Sequence, residues 1–472
     1  MYQRDDVFNV CTPKVKKATA KTKFAPLIAR GTHAKQQDKK TIVVKKPTGF
    51  QTVRGMRDII PFDERYWDWI LTVWERIVRS YGYEKIETPL MEEYGLFKRS
   101  VGDMTDVVQK QMYVFEDQSG AKMALRPEAT ASMARAYIEH GMLNLSQPVK
   151  LYQIGPMFRY ERPQSGRFRQ FHQFDVEVMG EAAPVADAEL ILLAYTLLQE
   201  IGLDSTIQVN SIGCVACRNE YKKVLLAYLK PKKSQLCEDC IMRMARNPLR
   251  ALDCKEESCV QATTNAPQMM DYLDDACKKH FVGVLEHLDE LDLPYVLNSR
   301  IVRGLDYYTR TAFELFLGTE ADEVSRQSAV GGGGRYDTLI SELGGRQTPA
   351  SGFAIGLERV IGAMRDRNIE PPKDDTADIY LAQIGDNARK RALKMFEQLR
   401  KAGFRIIGNL SKDGLRQQLE LANKKKVKFA VIIGQQEMID NTVLIRDMEG
   451  GIQEMVDYKK VEKELEKRLA KK

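Results

Sequence analysis

The sequence KLYQIGPMFRYERPQSGRFRQFHQFDVEVMG, residues 150–180, decides the fold of the chain. Two runs rich in aromatic and β-branched residues flank Pro163–Gly166, and this pattern predicts an antiparallel hairpin with a short loop. Because side chains alternate between faces along a strand, one face should be apolar core and the other polar. The polar face fits either an ordinary solvated surface or a ligand site. The apolar face carries Phe158, Tyr160, Phe168, Phe174, Val176 and Val178, and the polar face carries Arg159, Glu161, Arg169, Phe171, Gln173, Asp175 and Glu177.

Length and composition predict two or three compact units. The 472 residues exceed the usual size of one domain, and a hydrophobic content of 43% suffices for sizeable cores. No run of about 18 apolar residues occurs, so we expect no membrane span. Of the net charge of +7, residues 1–47 carry +9, which leaves the remaining chain near neutral. Any nucleic-acid-binding surface should therefore be a local patch.

Residues 1–47 are predicted to form a disordered basic tail. They are rich in Lys, Thr, Ala and Pro and nearly lack apolar periodicity. Such a tail would add weak, sequence-independent attraction for RNA. Its low acidic content leaves organelle targeting open as an alternative, although Asp5, Asp6 and the excess of Lys over Arg argue against it.

Cysteine usage predicts a reducing compartment, and we expect a cytoplasmic protein. Cys214 and Cys217 form one Cys-x-x-Cys pair, and Cys237 and Cys240 form a second pair after 19 intervening residues. Two such pairs match a structural zinc site that closes four thiolates around one ion. The alternative, which we prefer on the sequence alone, is that these thiols are small apolar fillers between helices and bind no metal.

Helices and strands alternate along the chain up to about residue 212. Tyr66–Tyr81 has apolar residues at helical spacing, and residues 184–201 have the same pattern. Ser205–Ile212 is predicted to be a strand. Residues 213–297 leave the alternating pattern, are mostly helical and are interpreted as an insertion, after which Ser299–Phe316 is predicted to be a strand. In such a strand the adjacent Tyr307 and Tyr308 point to opposite faces, so at most one of them should be core.

A separate C-terminal unit follows the linker Asn368–Asp375, which contains Pro371-Pro372 and clustered charge. Short apolar strands and helices beyond it predict a βαβαβ unit with a parallel sheet. The basic run 424–428 is either a solvated helix end or a phosphate contact. The predicted strands are Asp378–Ile384, Phe404–Leu410 and Phe429–Gly434, and the predicted helices are Asn387–Lys401 and Asp413–Lys425.

Three segments resemble the motifs of class II aminoacyl-tRNA synthetases. Phe158–Glu161 with Arg167–Phe171 resembles motif 2, the hairpin that holds ATP in this class. Glu87–Glu92 resembles motif 1, whose proline region lies at the dimer interface. Gly352–Arg359 resembles motif 3, a strand entering a helix whose arginine lies over the purine ring.

Two further segments resemble the histidyl-tRNA synthetase family in particular. Arg303–Thr309, with the sequence RGLDYYT, is similar to the motif whose arginine reaches the substrate carboxylate and α-phosphate and whose tyrosines line the imidazole pocket. Arg126–Thr130, with the sequence RPEAT, is similar to a segment that contacts the substrate ammonium group. Ala129 stands where the family more often has glycine, and we expect no change of role. A glycine-rich strand at 329–337 completes the resemblance.

The resemblance implies a fold class and a set of sites. The fold is an α+β catalytic domain with an antiparallel sheet at residues 48–372, a mostly helical insertion at about 213–297, and a C-terminal α/β anticodon-binding domain at 373–472. Arg159 and Arg303 are the expected catalytic residues. The expected histidine-binding residues are Glu128, Thr130, Gln173, Glu177, Tyr307 and Tyr308; those for ATP are Arg159, Glu161, Arg167, Phe171, Gln173, Arg303 and Arg359.

The implied activity is ATP-dependent formation of histidyl-adenylate, followed by transfer to the 3′ end of tRNA(His). The implied partners are L-histidine, ATP with Mg²⁺ bound through its phosphates, tRNA(His) and a second copy of the chain. Two alternatives remain on the sequence: a catalytically inactive histidine-binding regulatory paralogue, and a zinc-stapled RNA-binding protein.

Overall fold

The computed structural model describes residues 49–102, 105–163, 166–244, 247–318, 329–372, 377–411 and 414–470. The predicted tail, residues 1–47, lies outside the described residues. Two compact units divide the chain, Met1–Gln51 and Thr52–Lys472. Of the first unit, only Gly49–Gln51 are described, and these residues are exposed.

Residues 52–372 contain the elements of a catalytic-type body and an insertion. The strands are β1 (Glu84–Lys85), β2 (Met91–Glu93), β3 (Val114–Glu116), β4 (Lys122–Leu125), β5 (Val149–Phe158), β6 (Gln170–Met179), β7 (Ser205–Ser211), β8 (Tyr295–Leu297), β9 (Thr309–Leu317), β10 (Gly331–Arg335) and β11 (Ala350–Gly356). The α-helices are α1 (Pro61–Ser80), α2 (Tyr94–Val101), α3 (Thr130–Glu139), α4 (Pro184–Gln199), α5 (Val215–Leu229), α6 (Glu238–Met244), α7 (Glu257–Thr263), α8 (Asp275–Glu290), α9 (Leu339–Glu342) and α10 (Leu357–Asp366). A π-helix spans Val107–Gln111.

A central sheet of eight strands carries the body, in the order β1-β5-β6-β11-β10-β9-β7-β8. Its inner pairs are all antiparallel, and only the two edge pairs, β1 with β5 and β7 with β8, are parallel. A second sheet has the order β2-β4-β3. The predicted antiparallel catalytic sheet is confirmed.

The predicted hairpin forms the pair β5 and β6, in register from Val149 opposite Met179 to Phe158 opposite Gln170. Its predicted polar face is not solvated, because Asp175 and Glu177 are each only 1% exposed. The sequence could not show this burial, since the residues that cover the face come from distant segments.

The prediction that Tyr160 belongs to the apolar core is wrong. The β5–β6 ladder ends at Phe158, so alternation no longer controls the side chains beyond it. Tyr160 is 53% exposed, and the Arg169 guanidinium lies 3.8 Å from its ring centroid. The ring therefore stacks on a cation at the surface.

Helix α1 supports the opposite, apolar face of the sheet. Trp74 is fully buried, contacts Phe174 edge to face at 5.2 Å, and donates its indole N–H to the Leu197 carbonyl at 2.6 Å. This hydrogen bond satisfies the polar atom that burial of a tryptophan would otherwise leave unpaired. Helices α1 and α4 thus fix the strand that carries the candidate site.

The predicted insertion is confirmed as mostly helical, and much of it has its own apolar core. That core includes Tyr221, Leu229 and Met269. Helix α8, which the sequence assigns to the insertion, instead packs Phe281 and Val284 into the core of the central sheet.

The predicted strand Ser299–Phe316 begins later than expected, because β9 starts only at Thr309. The inference that at most one of Tyr307 and Tyr308 is buried, which assumed strand alternation, is therefore wrong. They are 3% and 5% exposed, and their ring centroids lie 4.7 Å apart. An irregular backbone turns both rings toward the same interior.

The C-terminal part confirms the predicted βαβαβ unit and adds two strands. Strands β12 and β13 are parallel, as are β12 and β14, and they form the sheet β13-β12-β14-β15-β16. The antiparallel pair β15 and β16 was not predicted. The elements are β12 (Ile379–Gln383), α11 (Asp386–Lys401), β13 (Ile406–Gly408), α12 (Leu415–Lys424), β14 (Phe429–Ile433), α13 (Gln435–Ile439), β15 (Thr442–Asp447), β16 (Gln453–Asp457) and α14 (Val461–Leu469).

Among the helices of the described residues, none is both long enough and apolar enough to span a bilayer.

Candidate active site

A cavity of about 600 Å³ collects nearly all of the predicted site residues. Strands β6, β10 and β11 contribute to its walls, as does the irregular segment before β9. Residues from the insertion, among them Arg250 and Asp253, also line it. The predicted residues that line the cavity are Glu128, Thr130, Arg159, Glu161, Arg167, Phe171, Gln173, Arg303, Tyr307, Tyr308 and Arg359.

Arg159 is positioned just beyond the end of β5. Its Nε donates to the Pro127 carbonyl at 2.9 Å, and its guanidinium lies 5.3 Å from the centroid of the Phe171 ring. The backbone contact fixes the arginine with respect to the segment that leads into α3. Arg159 and Phe171 together offer a cation beside a flat apolar surface, an arrangement suited to a nucleotide.

Arg359 approaches the same cavity from α10, immediately after β11. Its guanidinium donates to the carbonyl groups of Gly166 and Ala329. Burial lowers its pKa from the ordinary arginine value, and the nearby Arg167 adds to this effect. The motif 3 segment thus does run from a strand into a helix, as predicted.

Arg303 is held by an ion pair. Its Nη1 lies 2.9 Å from the Glu314 Oε1, and its guanidinium lies 5.2 Å from the Tyr308 ring centroid. Burial alone would lower the pKa of Arg303, but the nearby Tyr308 and Glu314 raise it on balance. A Cβ at Gly332 would lie 2.6 Å from Nη1, so only glycine leaves room for this guanidinium.

The glycine strand β10 also brings its neighbours close. A Cβ at Gly333 would lie 2.1 Å from the Gly352 carbonyl oxygen on β11. Real Cβ atoms do not approach an oxygen so closely, so the backbone of β10 depends on its lack of side chains. Close backbone approach, rather than a flexible turn, explains the predicted glycine-rich strand.

Glu128 caps helix α3. Its carboxylate accepts hydrogen bonds from the backbone N–H groups of Thr130 at 2.9 Å and Ala131 at 3.0 Å. The capping role that this residue type predicts is therefore present, while the side chain also lines the cavity. Burial raises the pKa of Glu128. Ala129 has φ −98° and ψ −28°, so the alanine is unstrained there.

Glu177 lies next to the cavity but is not one of its lining residues. One carboxylate oxygen accepts the Thr130 hydroxyl at 2.6 Å and the other accepts the Tyr336 hydroxyl. A Cβ at Gly352 would lie 1.5 Å from Glu177 Oε2, so the strand opposite must be free of side chains at this point. Burial raises the pKa of Glu177 well above its usual range.

Buried polar atoms without hydrogen-bond partners show where a polar ligand could form hydrogen bonds with the protein. Within the described residues, Gln173 Oε1, Asp175 Oδ2 and Arg303 Nε are buried and make no hydrogen bond. Leaving such atoms unpaired costs free energy, on the order of 1–3 kcal/mol each. All three belong to residues that line the cavity. A ligand with both donors and acceptors would remove this cost.

Glu161 and Arg167 face each other across the hairpin loop, with Arg167 Nη1 3.3 Å from Glu161 Oε2. Gln164 and Ser165, at the tip of the predicted loop, lie outside the described residues. The pair marks the outer end of the cavity, where Arg167 is exposed and Glu161 is half-buried.

Several cavity residues were not among the predicted site residues. Asp175 alternates with Gln173 and Glu177 along β6, so the polar periodicity could have identified it. Glu314 on β9 has Ala312 and Phe316 at two-residue spacing, so polar periodicity gave no signal there. Arg243, Arg250 and Asp253 come from the insertion, and no sequence pattern linked them to the site.

The cysteine pairs do not meet as the zinc pattern predicted. Cys237 and Cys240 group with Cys254 and Cys259. Cys214 and Cys217 lie in a different group, with Asp274 and Cys277. The alternative in which the two Cys-x-x-Cys pairs close around one ion, which the sequence did not favour, is therefore excluded, because the helices between them carry the pairs to separate places.

Comparisons with known proteins agree on one family. The histidyl-tRNA synthetase family model matches residues 55–360, and that of the anticodon binding domain matches residues 378–468. The chain is 46% identical over 407 residues to the histidine–tRNA ligase of Aquifex aeolicus, covering 86% of this chain and 98% of that protein.

A second curated relative and a solved structure give the same result. The histidine–tRNA ligase of Thermosipho melanesiensis is 45% identical over 405 residues, 86% of this chain and 95% of that protein. The apo histidyl-tRNA synthetase of S. aureus has a TM-score of 0.73 and 33% identity, covering 88% of this chain and 99% of that chain.

Proposed function

The chain belongs to the histidyl-tRNA synthetase family, and we infer that it is a histidine–tRNA ligase, which activates L-histidine with ATP and transfers it to the 3′ end of tRNA(His). One observation at the site supports this inference. A single cavity brings Arg159, Arg303 and Arg359 together with unpaired buried atoms of Gln173 and Asp175.

In the first step, a histidine carboxylate oxygen attacks the α-phosphorus of ATP, and the bond to the bridging oxygen breaks to release pyrophosphate. Arg159 and Arg303 would hold the α-phosphate and the carboxylate, where negative charge is concentrated. In-line displacement at phosphorus needs mainly positioning and charge stabilisation. Two fixed guanidinium groups supply both, since each is already anchored by contacts within the protein.

The nucleotide would lie between Phe171 and Arg359. Phe171 and Arg359 both line the cavity, and the Arg159 guanidinium lies 5.3 Å from the centroid of the Phe171 ring. Glu161 and Arg167 would contact the base and the outer phosphates, respectively. ATP enters with its Mg²⁺ as substrate, and the ion would be held through the phosphates.

Histidine would be recognised by a polar pocket. Gln173, Tyr307 and Tyr308 line the cavity, and Glu128 with Thr130 would receive the ammonium group. Glu177 would act by orienting the hydroxyl groups of Thr130 and Tyr336, to which both of its oxygens are bound. An aromatic substrate without ring nitrogens would leave polar atoms unpaired, so discrimination against phenylalanine of about 10⁴ is expected.

A homodimer would bury the small sheet that includes the predicted motif 1 region. Leu90, Met91, Val114 and Phe115 are each more than 40% exposed, and they cluster on or beside strands β2 and β3. Several large apolar side chains on one small surface indicate an interaction site. We propose that two copies of the chain meet at this surface and that the C-terminal domain binds tRNA. We also propose a cytoplasmic location, which suits the free thiols of the protein.

Amino-acid-dependent exchange of pyrophosphate into ATP tests the function directly. The full chain, assayed with each amino acid in turn, should exchange label with histidine and leave phenylalanine nearly inactive. Exchange with a different amino acid would assign another specificity. Absence of exchange with every amino acid, together with measurable histidine binding, would instead support the regulatory paralogue.

A further inference from the structure

The insertion contains a cysteine tetrad that the proposed reaction does not use. Cys237, Cys240, Cys254 and Cys259 each direct a sulfur atom to one place, and the four sulfurs lie within 4.8 Å of one another. Cys237 Sγ lies 3.9 Å from Cys254 Sγ. A tetrahedral zinc site with Zn–S bonds of about 2.3 Å has sulfur atoms about 3.8 Å apart.

We propose that these four cysteines bind one structural Zn²⁺ ion. The donor set is four sulfurs without a carboxylate among them, and a tetrahedral set of this kind favours Zn²⁺ over the oxygen-seeking Mg²⁺ and Ca²⁺. The spacing is Cys-x₂-Cys-x₁₃-Cys-x₄-Cys. It differs from the four-thiolate alternative that the two Cys-x-x-Cys pairs offered, because the second half of the site comes from two single cysteines, Cys254 and Cys259.

Apolar filling does not explain this tetrad. A cysteine that served only as a small apolar side chain would contact mainly carbon atoms, whereas these four sulfur atoms converge on one another. Cys237 and Cys254 also line the active-site cavity. The backbone N–H of Cys237 donates to Cys259 Sγ at 3.1 Å. Donation by a backbone amide suits a sulfur that carries negative charge, as metal-bound thiolates do.

The ion would add to the stability of a segment that is built from short helices. Helices α6 and α7 have only seven residues each, too few for independent stability. Zinc would tie the start of α6 to α7 and thereby close the segment 237–259 into a fixed loop. Structural zinc sites in small modules contribute directly to folding.

The same segment forms one wall of the active-site cavity. Arg243 Nη2 lies 3.0 Å from Asp106 Oδ2, and Arg250 Nη2 lies 3.6 Å from it. Arg250 and Asp253 line the cavity directly. Zinc would therefore position this wall, a consequence that rests on the proposed function, whereas zinc binding itself does not.

The other group supplies a matched control. Cys214, Cys217 and Cys277 converge with Asp274, but Asp274 already accepts the Cys277 backbone N–H at 2.7 Å as the cap of α8. A helix cap accounts for its position. We therefore assign the ion to the all-cysteine tetrad, and thiols of the other group serve for comparison.

Metal analysis of the full-length protein tests the assignment. Protein purified without chelator, incubated with Zn²⁺ and desalted, should hold one zinc per chain by elemental analysis. Cys237→Ser combined with Cys254→Ser should lose that zinc, and Cys214→Ser combined with Cys277→Ser should keep it. Substoichiometric zinc in the unaltered protein, iron in place of zinc, or loss only in the second variant would overturn the proposal.

A measurement on the unaltered chain covers the case in which the first variant does not fold. Co²⁺ exchanged into the wild-type protein should give the visible absorption of a tetrahedral cobalt site with four thiolates. A spectrum of octahedral Co²⁺, or of mixed oxygen and sulfur ligation, would contradict the tetrad. A chain that holds zinc in the tetrad yet fails to exchange pyrophosphate would refute the proposed function and leave the zinc assignment intact.

Discussion

Arg303 is one of the two expected catalytic residues, and its side chain is both anchored and able to donate a further hydrogen bond. Its side chain is 17% exposed and held by Glu314 at 2.9 Å, and its buried Nε has no partner among the described residues. It is thus fixed before substrate arrives and retains a donor for it. We expect Arg303→Ala to lower the rate of adenylate formation about 100- to 1000-fold, since one preorganised donor to developing charge is removed. Pyrophosphate exchange measures this rate.

The exposed Arg416 supplies the control, because Arg416→Ala removes the same charge from a side chain that is 94% exposed. This second variant should exchange at the wild-type rate. Circular dichroism should show that Arg303→Ala remains folded. A wild-type exchange rate in Arg303→Ala would remove Arg303 from the catalytic residues.

Asp175 makes stability depend on pH. Burial raises its pKa well above the ordinary value, and the neighbouring Glu128 carboxylate adds to the effect. Between the ordinary carboxyl range and this raised pKa, the folded state keeps a proton that the unfolded state has lost. The free energy of unfolding should therefore fall as pH rises through that window.

In Asp175→Asn this contribution disappears, so the decline in the free energy of unfolding should be shallower. Urea denaturation at about pH 5 and about pH 8 measures the decline. Asp68→Asn, at an exposed position of α1, should leave it unchanged. Equal declines in the wild type and Asp175→Asn would show that the carboxyl group titrates normally.

At the scale of elements, patterns within one segment were predicted well and contacts between segments were not. The hairpin follows from alternation and turn chemistry, which are local, whereas the strand-to-helix step at Gly356 was implied by the resemblance to motif 3. The sequence pattern predicts a strand over residues 303–308, but these residues form a loop beside the cavity, and β9 begins only at Thr309. The Tyr307 and Tyr308 rings were consequently assigned to opposite faces.

The hairpin of β15 and β16 was missed even though a local signal exists. Gly450-Gly451 stands between two short segments that each contain large apolar residues, and Gly451 adopts φ +71°, a value that glycine favours in turns. For the site, the family resemblance supplied residue roles that alternation alone could not. The burial of Glu177 and the grouping of Cys237 and Cys240 with Cys254 and Cys259 depend on contacts between distant segments, so only the structure could show them.

The pair of strands β6 and β11 gives a test of close approach. Gly352→Ala would place a Cβ 1.5 Å from Glu177 Oε2, the oxygen that accepts the Tyr336 hydroxyl, so the Glu177 carboxylate must move and give up its contacts with Tyr336 and Thr130. We expect the free energy of unfolding to fall by about 1–3 kcal/mol and the KM for histidine to rise. Chemical denaturation and pyrophosphate exchange measure the two effects.

Gly362→Ala is the matched control, since no atom lies within 4 Å of a Cβ at this position in α10. Alanine favours helices by about 1 kcal/mol over glycine, so this variant should be at least as stable as the wild type. If both variants behaved alike, Gly352 would not be required for the contact between Glu177 and Thr130.

At the scale of the whole molecule, two apolar cores share no residue. The core around the central sheet is drawn from residues 66–364, and that of the C-terminal sheet is drawn from residues 379–465. Removal of residues 373–472 should therefore leave adenylate formation intact while greatly weakening aminoacylation of tRNA. Exchange and aminoacylation assays separate the two activities.

Size-exclusion chromatography must first show that the truncated chain has the same oligomeric state as the full chain. Efficient charging of tRNA by a folded truncated chain would place the tRNA contacts elsewhere. Loss of exchange in a folded truncated chain would show that the C-terminal domain supports the first step as well.

The end of α12 offers a candidate phosphate contact. Lys424, Lys425 and Lys426 are exposed, whereas Lys428 pairs with Asp378 at 3.0 Å and is therefore less available. Replacing the three exposed lysines by alanine should weaken tRNA binding and lower the log–log salt slope by about 0.7 to 0.9 per lost phosphate contact. Binding titrations at several salt concentrations provide the slope.

Lys390→Ala with Lys394→Ala, on the exposed face of α11, controls for the loss of charge alone. The slope should not change in that variant. If it changed equally in both, attraction would be diffuse rather than localised at the end of α12.

The glycine strand β10 has a consequence for inheritance. Every missense change at Gly332 or Gly333 adds a Cβ, whichever codon results, and that atom would meet a backbone oxygen at 2.6 Å or 2.1 Å. No replacement is conservative at such positions, because the smallest side chain already collides. A missense variant found at either of these two positions can therefore be classed as damaging from geometry alone, without a pedigree or a set of related genes.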